Sequence, residues 1–241
     1  MKIKNNPLKV AFIDTGLSAN LPWWNRNTID GVGVKLNFSA NSCCNFTSSF
    51  VDYHGHGTLV GTLLLAFCPS VSLVPVRISQ VQEGRYTNFV PEKALAIGID
   101  WCVENDIRLV NISYSIEEIA CNGALATACR KANNRKTILV AAYRNNSRKP
   151  VYPAALSSVI GVSTRKDIDH AQVAIISEKN HDVAAFGGPY QIVSPDNTHK
   201  VISGTSFATA QVTGMIARVL TVKPTLTLEQ VFSYLTRYAT R

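Results

Sequence analysis

The stretch Val10-Ala11-Phe12-Ile13-Asp14-Thr15-Gly16 decides how the rest of the chain is read. Four successive apolar residues, with no polar alternation, read as a short buried strand of the kind found in parallel sheets. The run ends in a carboxylate followed by the turn signal Thr15-Gly16, which places Asp14 at the carboxyl end of that strand. Ligands of open α/β sheets sit outside the carboxyl ends of strands, so Asp14 is a candidate functional residue. Taken alone, Asp-Thr-Gly also reads as a plain turn, and the remainder of the chain has to decide between the two.

Outward from this strand, short apolar runs alternate with helical patterns. The strand-like runs are Ser72 to Val76, Arg108 to Ile112 and Ile138 to Ala142, with later strands after them. Helical patterns follow His56, run from about Pro91 to Asn105 and near Cys121 to Ala132, follow Ser206, and close the chain near Leu226 to Tyr238. This alternation predicts an α/β fold: three layers, with a mainly parallel sheet covered by helices on both faces. With 241 residues, 46% hydrophobic and 17% charged, and no internal repeats, the chain is long enough for one well-buried domain over 1–241.

Two further segments carry chemistry. His56 lies in His54-Gly55-His56-Gly57-Thr58-Leu59-Val60-Gly61, and Ser206 in Gly204-Thr205-Ser206-Phe207-Ala208-Thr209-Ala210, each where an apolar helical pattern begins. An alcohol is a poor nucleophile at neutral pH, so Ser206 has catalytic meaning only with a base and an orienting group. His56 and Asp14 are the residue types for those roles: Ser206 attacks a carbonyl, His56 takes its proton, and Asp14 fixes the imidazole tautomer. Considered alone, Ser206 reads as a helix N-cap and His56 as a solvated loop residue. Asp52, His54 and His56 alternate along an extended segment and would share one face, but no fourth ligand accompanies them, so no metal is expected.

Ile13-Asp14-Thr15-Gly16, His56-Gly57-Thr58 and Gly204-Thr205-Ser206-Phe207-Ala208 resemble, in this order, the three signature blocks of the subtilisin family of serine endopeptidases. Leu139 to Ala142, Tyr152-Pro153-Ala154, Ser158 to Val162 and Asp182 to Ala185 also resemble the family's core strands and loops, so the resemblance covers roughly the whole chain. It implies the subtilisin-like three-layer fold and peptide-bond hydrolysis through an Asp14, His56 and Ser206 triad with an acyl-enzyme intermediate. It points to Asn145 as oxyanion donor, with Asn146 as the alternative, because Arg144 stands where the family has a glycine. An extended peptide pairs in the family with an edge matched here by Ile112 to Ile116, which makes Ser113, Tyr114, Ser115 and Ile116 substrate-binding candidates. Arg144 and Val151 fall at the pocket for the residue before the cut. Ser115 and Ile116 stand in place of glycines, and Arg144 and Val151 in place of small residues. The expected pocket is therefore shallow and suited to a small or acidic side chain, unless Arg144 points to solvent. The family's calcium loop after the histidine-bearing helix is expected to be deleted, because Leu63 to Pro69 runs almost directly into Ser72 to Val76; no cofactor is expected.

The formal net charge of +8, with Arg144, Arg148 and Lys149 near the expected cleft, makes an acidic peptide or protein the expected substrate, against a solvated basic loop. No nucleic-acid motif accompanies the charge. No apolar stretch approaches about 18 residues, so no membrane span is expected. Met1 to Lys9 is short and mostly polar and no secretory signal is visible, so neither a signal nor a pro-segment is expected before Asp14, with a mature form whose leader has been trimmed as the alternative. The six cysteines lack framework or metal-knuckle spacing; Cys102, Cys121 and Cys129 are expected as small core residues, and a cytoplasmic location with reduced thiols follows. The expected activity is restricted processing, such as removal of a leader in modified-peptide maturation. A general intracellular protease and an inactive peptide-binding module are the alternatives.

Overall fold

The computed structural model describes residues 7–18, 31–37, 43–78, 80–82, 85–87, 90–145, 149–193, 198–237 and 239–240; for 35–37, 43–45, 80–82 and 85–87 it describes the backbone alone. The elements in order are β1 (Lys9–Asp14), β2 (Val32–Asn37), β3 (Cys43–Thr47), α1 (His56–Phe67), β4 (Ser72–Arg77), β5 (Gln80–Gln82) and β6 (Arg85–Thr87). Then come α2 (Glu92–Glu104), β7 (Leu109–Ile112), α3 (Ala124–Asn134), β8 (Ile138–Ala142), β9 (Ile160–Thr164), β10 (Val173–Ser177) and β11 (Asp182–Ala185). The chain continues through β12 (Tyr190–Val193), β13 (His199–Ile202), α4 (Thr205–Val222), α5 (Leu228–Arg237) and β14 (Ala239–Thr240).

Ten strands form one sheet in the order β14-β10-β11-β9-β8-β7-β1-β4-β2-β3. Its centre, β9-β8-β7-β1-β4, is parallel throughout, as the apolar runs require; antiparallel pairs occur at β2 with β3 and β10 with β11. Each central strand buries both faces. Val10, Phe12, Leu109, Val140 and Val162 pack into the layer that contains α1, α4 and α5, while Ala11, Ile13, Val76, Val110 and Leu139 pack under α2 and α3. Full burial of a Val, Leu, Ile or Phe side chain contributes about 1.5–3 kcal/mol, so this double-sided core dominates the stability of the fold. Phe12, wholly buried, is the single residue of β1 whose truncation costs most, about 3–5 kcal/mol for Phe12→Ala.

Strand order also locates the site. After β1 the chain builds β2 and β4 on one flank, then crosses to β7 on the other and continues outward through β8 and β9. The order reverses at β1, and the crevice at such a switch point, beyond the carboxyl ends of the strands, is where open α/β sheets bind ligands. Asp14 ends β1 and Ile112 ends β7.

The strands over Ile138 to Ala142 and Asp182 to Ala185 fall where the sequence puts them, and α2 is flanked by Pro91 and Asn105 as expected. One helix starts later. The expected helix from Cys121 begins instead at Ala124, because Glu92 on α2 accepts the Leu125 N–H through Oε1 (3.0 Å) and so satisfies the first turn of α3 there. Cys121 is left on the preceding turn and is exposed, not a core residue; Cys102 and Cys129 are buried as expected. Burial pushes the Cys129 thiol up to about 12.

Candidate active site

Asp14 is 1% exposed, and its Oδ1 lies 2.7 Å from the backbone N of Thr15 and 2.7 Å from Nδ1 of His56. An ionised carboxylate can only accept, so Nδ1 carries the proton and the lone pair of the neutral ring is on Nε2. Burial alone would raise the Asp14 carboxyl, but the His56 charge and the hydrogen bonds to the carboxylate hold it below its ordinary value. Burial alone would likewise lower His56. The Asp14 charge and hydrogen bond, and then the Asp52 charge, outweigh it and raise the imidazole above its usual range.

His56 is the first residue of α1, and a second carboxylate holds that helix end. Asp52 accepts from Thr15 Oγ1 (2.9 Å), His54 N (3.0 Å) and Gly55 N (2.8 Å) through Oδ1, and from Thr58 N (2.8 Å) and Thr58 Oγ1 (2.6 Å) through Oδ2. A carboxylate at a helix N-terminus satisfies orphan amides and complements the helix dipole. Here it also ties the turn after β1 to the start of α1, since Thr15 Oγ1 accepts the Gly57 N–H (2.8 Å). Gly57 is required by the closeness of this contact: an added Cβ would lie 2.3 Å from Gly16 O and 3.1 Å from Asp14 Cβ. Asp52 spends its oxygens on capping, and among the described residues no group of three or more His, Cys, Asp or Glu is placed to hold a metal.

Ser206 is the second residue of α4 and is half-buried. The reading of Ser206 as an N-cap is overturned: the cap position is Gly204, with φ +143°, a left-handed value that favours glycine, and Gly204 makes no side-chain cap bond of its own. Ser206 thus lies within the first turn, whose N–H groups have no intrahelical acceptor. The ring of Phe207, the next residue, sits 5.5 Å from the His56 ring, so α4 begins beside the imidazole. Asn145, three residues past the end of β8, reaches the same place: its Oδ1 accepts the Thr205 N–H (3.0 Å), and a Cβ on Gly204 would come within 3.3 Å of its Nδ2. With Oδ1 committed to Thr205, Nδ2 is the amide atom left to donate. Asn146 and Arg148 lie outside the described residues.

The loops after β7 and β8 flank this point. The expected edge over Ile112 to Ile116 is a ladder strand only to Ile112; Ile116 instead forms an isolated antiparallel bridge with Tyr152, N–H to O at 2.8 Å and 2.7 Å. That bridge uses both backbone groups of Ile116 and withdraws them from any incoming peptide. Arg144 is half-exposed and forms an ion pair with Glu117, so it ties the two loops and neither lines a pocket wall alone nor points freely to solvent. Val151 is wholly buried. Ser113, Tyr114 and Ser115 are each half-buried. Beside Thr205 a cavity of about 660 Å³ opens between Tyr143, Arg144, Tyr152 and Asp182, with the Tyr143 hydroxyl donating to Asp182 Oδ1 at 2.9 Å.

The connection from α1 to β4 is Cys68-Pro69-Ser70-Val71. It offers no carboxylate, and calcium needs about six to eight oxygen ligands, so these residues do not fit a calcium loop.

A parallel sheet between helix layers, with a carboxylate–imidazole pair at its switch point and a serine opening the adjacent helix, defines the class of three-layer α/β serine peptidases. Comparison with known proteins fixes the family: the subtilase family profile matches residues 5–241, and the chain belongs to that family. The chain is 29% identical to subtilisin DY of Bacillus licheniformis, covering 98% of this chain and 85% of that protein. It is 28% identical to subtilisin J of Geobacillus stearothermophilus, covering 97% of this chain and 60% of that protein. Among solved structures, the S41 psychrophilic protease superposes with a TM-score of 0.75 at 20% identity, over 96% of this chain and 82% of that one. The epidermin leader peptide processing serine protease of Staphylococcus aureus superposes with a TM-score of 0.73 at 18% identity, over 97% of this chain and 69% of that one. The chain is a subtilisin-like serine endopeptidase.

Proposed function

We propose that Ser206, His56 and Asp14 carry out peptide-bond hydrolysis through an acyl-enzyme, with Asn145 as oxyanion donor. The observation that carries this reading is the 2.7 Å contact between His56 Nδ1 and the buried Asp14 Oδ1, with the ring of Phe207, the residue after Ser206, 5.5 Å from the imidazole. His56 Nε2 takes the Ser206 Oγ proton as Oγ attacks the carbonyl carbon, and the carbonyl oxygen becomes an oxyanion. Asn145 Nδ2 and the Ser206 N–H receive that charge; losing one such donor costs about 3 kcal/mol in the transition state. The imidazolium then gives its proton to the leaving amine, and a water repeats the sequence on the acyl-serine. Labelling with a serine-directed fluorophosphonate tests the assignment: the native chain reacts, and equal labelling of Ser206→Ala would sink it.

The same reading extends to substrate. With Ile116 bridged to Tyr152, Val151 buried and Glu117 paired to Arg144, the loops beside Asn145 are tied together, and among the described residues the Arg144 guanidinium is already neutralised. This supports a small rather than an acidic residue before the cut, and restricted processing of a peptide rather than bulk digestion. The likeness of fold to a protease named for epidermin leader processing is compatible with that role. Cleavage of a peptide library decides it: enrichment of Gly, Ala or Ser before the cut is expected, and a preference for large aromatic residues there rejects it. The free thiols of Cys68, Cys102, Cys121 and Cys129 support action in a reducing compartment such as the cytoplasm.

A further inference from the structure

The reading above accounts for one oxygen of the Asp14 carboxylate and leaves the other. Oδ1 takes His56 Nδ1 and the Thr15 N–H, whereas Oδ2 is buried and has no donor at hydrogen-bond geometry among the described residues. A buried carboxylate oxygen without a donor is costly and calls for an explanation. One side chain is placed to supply it. Ile13 of β1 stands opposite Ile112 of β7, and the Ser113 N–H donates to Ile13 O (3.3 Å), which sets Ser113 beside Asp14 one step beyond the paired strands. Residues in register on neighbouring strands turn their side chains to one face, here the face covered by α1 and α4. Against burial, which raises it, the His56 charge and hydrogen bond and then the Ser113 hydroxyl hold the Asp14 carboxyl down. The charged groups around it are His56 itself and Asp52, which acts on His56. Arg77, opposite Asp14 on β4, sends Nη1 to the Val51 carbonyl instead (3.3 Å).

Ser113 is itself oriented. Its Oγ accepts from Asn111 Nδ2 (3.3 Å), which leaves its own proton free to donate. Asn111 is wholly buried, and its amide is fixed by Thr213, whose Oγ1 donates to Asn111 Oδ1 (3.0 Å). Thr213 is wholly buried on α4, the helix that carries Ser206. Every donor in this series points the same way, toward Asp14.

We propose that Thr213, Asn111 and Ser113 form a directed hydrogen-bond chain that positions the Asp14 carboxylate from the nucleophile's own helix, with Ser113 as the positioning residue. The proposal rests on the assignment of Asp14, His56 and Ser206 made above. With Oδ2 held, the carboxylate cannot swing away from Nδ1, and aligned hydrogen bonds polarise one another when the imidazolium forms. Ser113 disperses carboxylate charge; its removal leaves a stronger acceptor for the imidazolium proton.

The rate of fluorophosphonate inactivation measured against pH tests this without knowledge of the substrate. Ser113→Ala should slow inactivation by roughly tenfold to a hundredfold and move its acid limb to higher pH, while Ser113→Thr restores both. Thr213→Val, which cuts the chain at its far end, should slow inactivation less and shift the limb the same way. An unmoved or lowered limb in Ser113→Ala, or a slowed rate that Ser113→Thr does not restore, overturns the proposal. If Ser113→Ala does not fold, as judged by circular dichroism, Thr213→Val decides alone, and native behaviour from it overturns the chain. Undiminished labelling of Ser206→Ala is a separate failure, of the triad assignment, and the chain falls with it.

Discussion

The two halves of the site are built to different standards. Around Asp14 and His56, two carboxylates, two threonine hydroxyls and several backbone amides interlock at 2.6–3.0 Å, and Asp14 is buried. Around the loops after β7 and β8, one backbone bridge and one half-exposed ion pair hold the structure. Exposed pairs contribute about 0–1 kcal/mol, whereas breaking a buried charged network costs several times more. The chemistry is thus held rigidly and the substrate approach loosely, so the second can diverge between relatives without disturbing the first.

The largest effect that can test this contrast comes from the rigid half. Asp14→Asn should keep the fold by circular dichroism but lose roughly four orders of magnitude in kcat, as in other enzymes with this arrangement, because the wrong tautomer of His56 is then favoured. A loss under tenfold would show that Asp14 is not the orienting group. Asp52→Ala strips five hydrogen bonds from the start of α1; urea unfolding should show a loss of about 2–4 kcal/mol, and native stability would mean that the cap is dispensable.

A subtler effect concerns pH. His56 acts as a base only when neutral, and its raised pKa means that activity is absent below that value and appears as pH rises through it. The acid limb of kcat/KM is therefore expected above the ordinary imidazole value of 6.5. Asp52→Asn removes one of the raising charges and should bring the limb down; a limb that stays in place would exclude Asp52 from tuning His56.

On the loose side, Glu117→Gln should change stability by no more than about 0.5 kcal/mol yet broaden the residues accepted before the cut. Equal broadening and destabilisation would erase the distinction between the two halves. The smallest effect is expected from a chelator: the connection from α1 to β4 carries no carboxylate, and excess EDTA should leave the melting temperature unchanged; a drop would show that calcium is bound.

Legibility in the sequence follows the same divide. Central strands and helices were readable because periodicity and end signals are local, as Ile138 to Ala142 and Pro91 to Asn105 illustrate. Asp14, His56 and Ser206 stand out in the sequence because each sits at an end of such an element, and the structure brings Asp14 and His56 into contact. What escaped was decided by distant partners. Nothing near Cys121 announces that Glu92 will start α3 three residues later, and Asp52 resembles a metal ligand until Thr15, Gly55 and Thr58 are folded around it. The Ile116–Tyr152 bridge joins backbone groups, which leave no trace in side-chain identity. The sequence signal for Ser113 was present, two residues after a buried asparagine at a strand end, but its meaning depends on Thr213, 102 residues from Asn111.

The helix α4 arrives late in the chain, yet it supplies Ser206, the Thr205 amide that fixes Asn145, and the Thr213 hydroxyl that fixes Asn111. Emergence from the ribosome runs from the amino end at about 5–20 residues per second. For many seconds the nascent chain therefore displays its base and its carboxylate with no alcohol to activate. On the triad proposed above, the nucleophile joins its base only when α4 docks.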